Sequence, residues 1–171
     1  MDLRLAQTGD LPALKAMYKK IICRMEQDGI PIWDEVYPCA FFEEDIEKGR
    51  LYVLTQGREI AAAFALCETD GGEPALSWKD PRGRALYLGR LGVSVDHLRQ
   101  GVGSAALRSA MALAQEKGAE FLRLLVVDID LPAIDLYRKN GFCQADGVHV
   151  QRFDDVVLHE YGFEIGLLQP R

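Results

Sequence analysis

Leu98-Arg99-Gln100-Gly101-Val102-Gly103-Ser104-Ala105 follows the apolar segment 86–95 and opens a helical pattern. Two glycines two apart at the mouth of a helix let the backbone curl closely about a ligand. The first helical N–H groups have no partner inside the helix, and the helix dipole adds partial positive charge there. Such a turn suits an anion, most often a phosphate. Taken alone, the same glycines equally well make a tight strand-to-helix turn. The sequence downstream decides between the two.

The chain has 171 residues, 49% of them apolar, enough for one domain (residues 1–171) whose core needs neither disulfides nor metal. Its longest apolar run, 60–67, is far short of a bilayer span, and Met1-Asp2-Leu3-Arg4 lacks the layout of a secretory signal. A soluble cytoplasmic protein is expected. Cys23, Cys39, Cys67 and Cys143 form no C-x-x-C pair and no metal-ligand spacing with histidine, so they read as free thiols and no metal is expected. A net charge of −6 argues against a nucleic-acid partner, since that affinity rests on basic surface.

Apolar spacing organises the rest. Residues 3–6 alternate as a first strand. Thr8 or Asp10 then caps a helix with Leu11, Leu14, Met17, Tyr18, Ile21 and Ile22 on one face and Pro12 in its first turn. An aromatic and acidic loop, 33–38, leads to a short helix over 41–48 that Gly49 closes. Strands over 51–55 and 60–67 are joined by the hairpin signal Gln56-Gly57-Arg58, and a polar loop runs from 68 to 83. After the strand 86–95 and the glycine-led helix, 121–127 reads as a central strand, 131–139 as a second helix, and one or two strands follow, over 142–147 and 157–165. This order describes an α/β sandwich around one mixed sheet.

Gly101, Gly103 and Ala106 also match the dinucleotide pattern G-x-G-x-x-A, with Asp128 placed as a ribose-binding acid. Against a Rossmann-type oxidoreductase, the polar stretch 96–100 separates strand from glycines, and the motif does not open its domain. The segment 91–103, followed about thirty residues on by Leu131-Pro132-Ala133-Ile134-Asp135-Leu136-Tyr137-Arg138-Lys139-Asn140-Gly141-Phe142, resembles the acetyl-CoA-binding core of the GNAT superfamily of N-acetyltransferases. The likeness is strong over 86–145. Leu98 departs from the family pattern Q/R-x-x-G-x-G/A, standing where Gln or Arg is usual.

The resemblance implies a GNAT-type (acyl-CoA N-acyltransferase) α/β fold, a mixed, mostly antiparallel sheet splayed between its central strands and flanked by helices. It implies that acetyl-CoA lies along Leu91, Gly92 and Val93. Its diphosphate would rest on Arg99, Gln100, Gly101, Val102, Gly103 and Ser104, with Asp130, Ala133 and Tyr137 also on the cofactor. The Val93 N–H would face the oxyanion of the tetrahedral intermediate. Tyr137 stands where the family's frequent general acid protonates the leaving thiolate; a phenol's ordinary pKa near 10 suits that donor. Many relatives carry a base glutamate on the strand before the glycine loop, whereas 86–95 holds no carboxylate. Glu68 and Glu35 are the first candidates, with Asp34 and His149 behind them.

The resemblance also puts the acceptor pocket among the first two helices, their loop and the C-terminal strands, and in that loop Trp33, Asp34 and Tyr37 suit a cationic amine. Acetyl transfer to a small-molecule primary amine is therefore expected, without nucleic acid or membrane, and with a homodimer left open. A catalytically weak CoA-binding module of the same fold stays as an alternative, as does the oxidoreductase.

Overall fold

In the computed structural model, which describes residues 1–168, the weak alternation at the start becomes β1 (Asp2–Leu5). The helix that follows is α1 (Leu11–Gln27), with Pro12 in its first turn. Leu14, Met17, Tyr18 and Ile21 make its buried stripe, at the three-four spacing that puts one helix face on a core. Neither Thr8 nor Asp10 caps it by side chain. A 3₁₀ turn, Thr8–Asp10, intervenes, and the Asp10 carboxylate accepts the Gln7 N–H at 2.8 Å and the Arg4 guanidinium at 2.8 and 2.9 Å. A second 3₁₀ turn, Cys39–Phe41, leads into α2 (Phe42–Glu47), which Gly49 follows at φ 63°.

The remaining elements are β2 (Leu51–Gln56), β3 (Glu59–Cys67), β4 (Leu76–Ser77), β5 (Ala85–Val93), α3 (Val102–Glu116), β6 (Phe121–Val127), α4 (Leu131–Lys139), β7 (Cys143–Gln144), β8 (Asp146–Gly147), β9 (His149–Phe153) and β10 (Val156–Gly166). They fall into two units: residues 1–66 with 90–109, and residues 67–89 with 110–171.

In the first unit β1, β2 and β3 run antiparallel. Gln56 pairs with Glu59, so Gly57 and Arg58 alone make the hairpin loop, with Gly57 at φ 62° as a type II′ turn requires of its first central residue. Ala61 to Phe64 are fully buried, and Ala61 O accepts the Ser94 N–H at 2.8 Å, which ties the end of β5 to β3. These antiparallel neighbours exclude the doubly wound parallel sheet of the oxidoreductase alternative.

In the second unit β5 and β6 are parallel, Ala85 beside Phe121 through Tyr87 beside Arg123. The return connection that parallel strands need runs through α3. β10 lies antiparallel between β6 on one edge and β7 and β9 on the other. The segment 68–83 is more than a polar loop. It forms β4, paired with β8, and buries Leu76 and Trp78 against Tyr87 and Ala145. The C-terminal region likewise folds into four strands rather than one or two. No helix among the described residues is long and apolar enough to cross a membrane.

Candidate functional site

β5 carries the first group of expected site residues and is not a regular strand. Arg90 sits at φ 54°, a left-handed conformation that costs a non-glycine residue roughly 1–3 kcal/mol. Two sets of contacts hold it. Its guanidinium bonds both oxygens of Asp45 at 2.7 Å, and Arg50 adds a third bond of 2.7 Å to that fully buried carboxylate. Its carbonyl accepts the Tyr18 hydroxyl at 2.5 Å, and that hydroxyl also lies 3.3 Å from Ala63 O. Burial holds the Tyr18 phenol well above its ordinary value, so it stays a donor.

Gly92 lies directly against the same ring. A Cβ there would stand 2.6 Å from Tyr18 Cζ, which no side chain tolerates. Because successive N–H groups of a strand point to opposite edges, the Ser94 bond to β3 directs the Val93 N–H away from β3. The Leu91 N–H shares that direction.

After β5, Ser94 Oγ accepts the Asp96 N–H at 3.3 Å and turns the chain through 95–97. His97 is buried there, its Nε2 3.4 Å from a Glu59 carboxylate oxygen. Leu98, Arg99, Gln100 and Gly101 are exposed. Arg99 at φ 61° and Gly101 at φ 74° are both left-handed, and α3 starts at the next residue. Left-handed residues alternating along a turn fold successive N–H groups into an anion-holding concavity, here at a helix N-terminus. Val102 is buried and anchors the turn, while Gly103 and Ser104 are half-buried in the first helical turn.

The aromatic loop of the first unit is built on Tyr18. Trp33 stacks on it at 5.5 Å, Tyr37 meets Trp33 edge-on at 6.5 Å, and Phe41 meets Tyr37 at 5.4 Å. Asp34 serves its own loop, where one carboxylate oxygen accepts the N–H groups of Val36 and Tyr37, each at 2.8 Å. Those donors hold its carboxyl below the usual range. The cation beside these rings is the protein's own Arg90, 5.3 Å over Phe41. Glu35 is exposed, and no hydrogen bond or ion pair among the described residues holds it.

Asp130, Ala133, Tyr137 and Glu68 belong to the second unit. Asp130 caps α4 by accepting the Ala133 N–H at 3.3 Å. Burial pushes its carboxyl upward, partly offset by that N–H. Tyr137 is buried between Phe142 at 6.0 Å and Phe163 at 6.2 Å. Glu68 is exposed and, like Glu35, has no such bond among the described residues.

The same unit contains an oriented imidazole that sequence reasoning left in the background. His149 Nδ1 lies 2.9 Å from Glu160 Oε1, and Gln151 donates to that oxygen at 2.5 Å. Glu160 and Gln151 went unnoticed because only the β9–β10 register, with Glu160 opposite His149, brings them to the imidazole.

A sequence model of the acetyltransferase (GNAT) family matches residues 16–142. Over 97 residues the chain is 32% identical to a thialysine N-epsilon-acetyltransferase of Bos taurus, covering 55% of this chain and 57% of the bovine protein. It thus spans little more than half the length of that relative. YwnH of Bacillus subtilis (strain 168), provisionally named a phosphinothricin acetyltransferase, is 28% identical over 148 residues, 84% of this chain and 85% of YwnH. A solved structure from Salmonella typhimurium, YncA, provisionally named an acetyltransferase and containing its cofactor acetyl-CoA, shares the fold. Its TM-score is 0.66 at 15% identity, over 99% of this chain and 95% of that one.

Proposed function

Because this chain belongs to the acetyltransferase (GNAT) family, we propose that it is an acyltransferase that transfers acetyl from acetyl-CoA to a primary amine of a small molecule. One stretch of backbone carries the reading. Residues 91–101 send the Val93 N–H away from β3 and then curl through left-handed Arg99 and Gly101 into α3. An elongated ligand with peptide-like amides and a diphosphate fits that sequence of a strand edge and an anion cradle.

Bound acetyl-CoA supplies the acetyl group as a thioester, which the amine attacks directly through a tetrahedral intermediate. Leu91, Gly92 and Val93 hold the amide-bearing arm, and the Val93 N–H stabilises the developing oxyanion. Arg99, Gln100, Gly101, Val102, Gly103 and Ser104 cradle the diphosphate through their backbone, so Leu98 in place of Gln or Arg matters little. Asp130 and Ala133 complete the hold, and the parting of the central strands is part of this proposal. Tyr137 gives its proton to the departing sulfur. The amine proton goes to a base among Glu68, Glu35 and His149. Trp33, Asp34 and Tyr37 receive the acceptor.

The bovine and Bacillus relatives are named for small amines, which supports a metabolite over a peptide. The four cysteines are free thiols, which supports a cytoplasmic protein. The division into two units cuts β5 and α3, and each unit draws on two separate stretches, which supports residues 1–171 acting as one domain.

Acetyl-CoA at one hundred times its Kd is expected to stabilise the fold by about 2.7 kcal/mol, raising Tm, while NADPH leaves it unchanged. Thialysine, phosphinothricin, spermidine and a peptide with a free N-terminus are then compared for release of free CoA thiol. Turnover of a small amine above the peptide supports the proposal, and no shift with acetyl-CoA overturns it.

A further inference from the structure

We propose that His149, oriented by Glu160, is the general base that takes the proton from the attacking amine. This rests on the acetyl-transfer reading above and assigns the role it leaves among three residues.

The two side chains face each other as a directly opposed cross-strand pair of β9 and β10. Glu160 Oε1 sits 2.9 Å from Nδ1, and Gln151 binds the same oxygen at 2.5 Å, so the carboxylate is fixed from two sides. A carboxylate on Nδ1 selects the tautomer with its proton there and leaves the Nε2 lone pair as an acceptor. The same oriented imidazole activates nucleophiles on unrelated folds. The pair is mostly shielded yet still reachable, with 24% and 15% of the two side-chain surfaces exposed. Glu35 and Glu68 have no such support.

Position within the second unit favours the role. Glu160 also pairs with Val127, the last residue of β6, and the next residue, Asp128, donates its N–H to His159 O at 2.8 Å. The dyad therefore lies at the end of β6 from which the chain enters α4, the helix bearing Tyr137. The 70–73 turn closes on the imidazole. A Cβ at Gly72 would meet His149 Nδ1 at 2.7 Å, so no larger residue fits without displacing the ring. On β10 the titratable group on the same face as His149 is Glu160, its neighbours His159 and Tyr161 alternating to the other face, and on that turn Asp70 and Glu73 bond the backbone N–H groups of Gly72 and Asp70.

The step balances. As the amine nitrogen forms its bond to the acetyl carbon, its proton passes to His149 Nε2. The carbon–sulfur bond then breaks, and the sulfur takes the Tyr137 proton. Solvent returns one proton to Tyr137 and removes one from His149.

The test uses the full chain with the amine that gives the fastest thiol release among thialysine, phosphinothricin, spermidine and the peptide. His149→Gln is expected to lower kcat by about 10²-fold or more and to abolish the acidic limb of the kcat/KM profile. The Kd for acetyl-CoA should stay within about twofold by calorimetry. Imidazole should restore part of the activity of His149→Ala. Glu160→Gln, which keeps a hydrogen-bonding side chain, should give a smaller loss and shift the acidic limb rather than abolish it. Wild-type kcat and an unchanged pH profile in folded His149→Gln overturn the assignment while acetyl transfer stands. If wild-type protein binds no acetyl-CoA, or no amine releases thiol, the functional reading fails first and the base role with it.

Discussion

Tyr18 does at one residue what the sequence assigned to separate features. Its ring fills the space beside Gly92, its face carries Trp33, and its hydroxyl holds the Arg90 carbonyl. Tyr18→Phe keeps the packing but removes the donor from two backbone carbonyls. It is expected to cost about 1–3 kcal/mol in denaturant unfolding and to raise KM for acetyl-CoA, since β5 loses its brace. The pH dependence has a definite sign. Burial raises the phenol above its ordinary 10.0, so the folded chain binds this proton more tightly than the unfolded chain does. The stabilisation is whole below that ordinary value and drains as pH climbs past it towards the folded value. Tyr18→Phe should therefore lose less stability than wild type above about pH 10. The three-four spacing marked Tyr18 as buried. The hydroxyl's partners lie 45 and 72 residues away, beyond any local pattern.

α4 was readable to its ends because its signals are local: Asp130 at the cap, Pro132 in the first turn, Asn140-Gly141 after the last. Removing the cap by Asp130→Ala should cost about 1 kcal/mol. Asp130→Asn separates the cap from the charge. The folded carboxyl is raised by burial, so its contribution is whole below its ordinary 3.8 and is lost as pH rises through the folded value. Ionised Asp130 thus carries a desolvation cost at neutral pH. Asp130→Asn is expected to be at least as stable as wild type at pH 7, with the advantage gone at pH 3, by urea unfolding at both. β6 was equally legible as a near-continuous apolar run interrupted only by Arg123, whereas β4 and β9 were not, being short or mixed strands whose edges exist only because β8 and β10 meet them.

At the scale of the molecule, the first unit depends on a segment from later in the chain. Asp45 is fully buried against Arg90, and the end of β5 bonds β3 at Ala61. A chain ending after Gly89 would lack Arg90, the Tyr18 acceptor and α3. It is expected to show no cooperative thermal transition by circular dichroism, because the buried Asp45 carboxylate is left with Arg50 alone and breaking a buried ion pair costs about 3–5 kcal/mol. The sequence by itself determined the main helices and the strands β1 to β3, β5 and β6, the glycine turn and the helix bearing Tyr137, because caps, turns and apolar spacing act between neighbours in the chain. Tertiary structure alone decided that Arg90 turns inward onto Asp45, that Tyr18 bonds the Arg90 carbonyl, and that His149 meets Glu160. Each of these pairings is a choice of partner for a polar group, and strand register and burial make that choice.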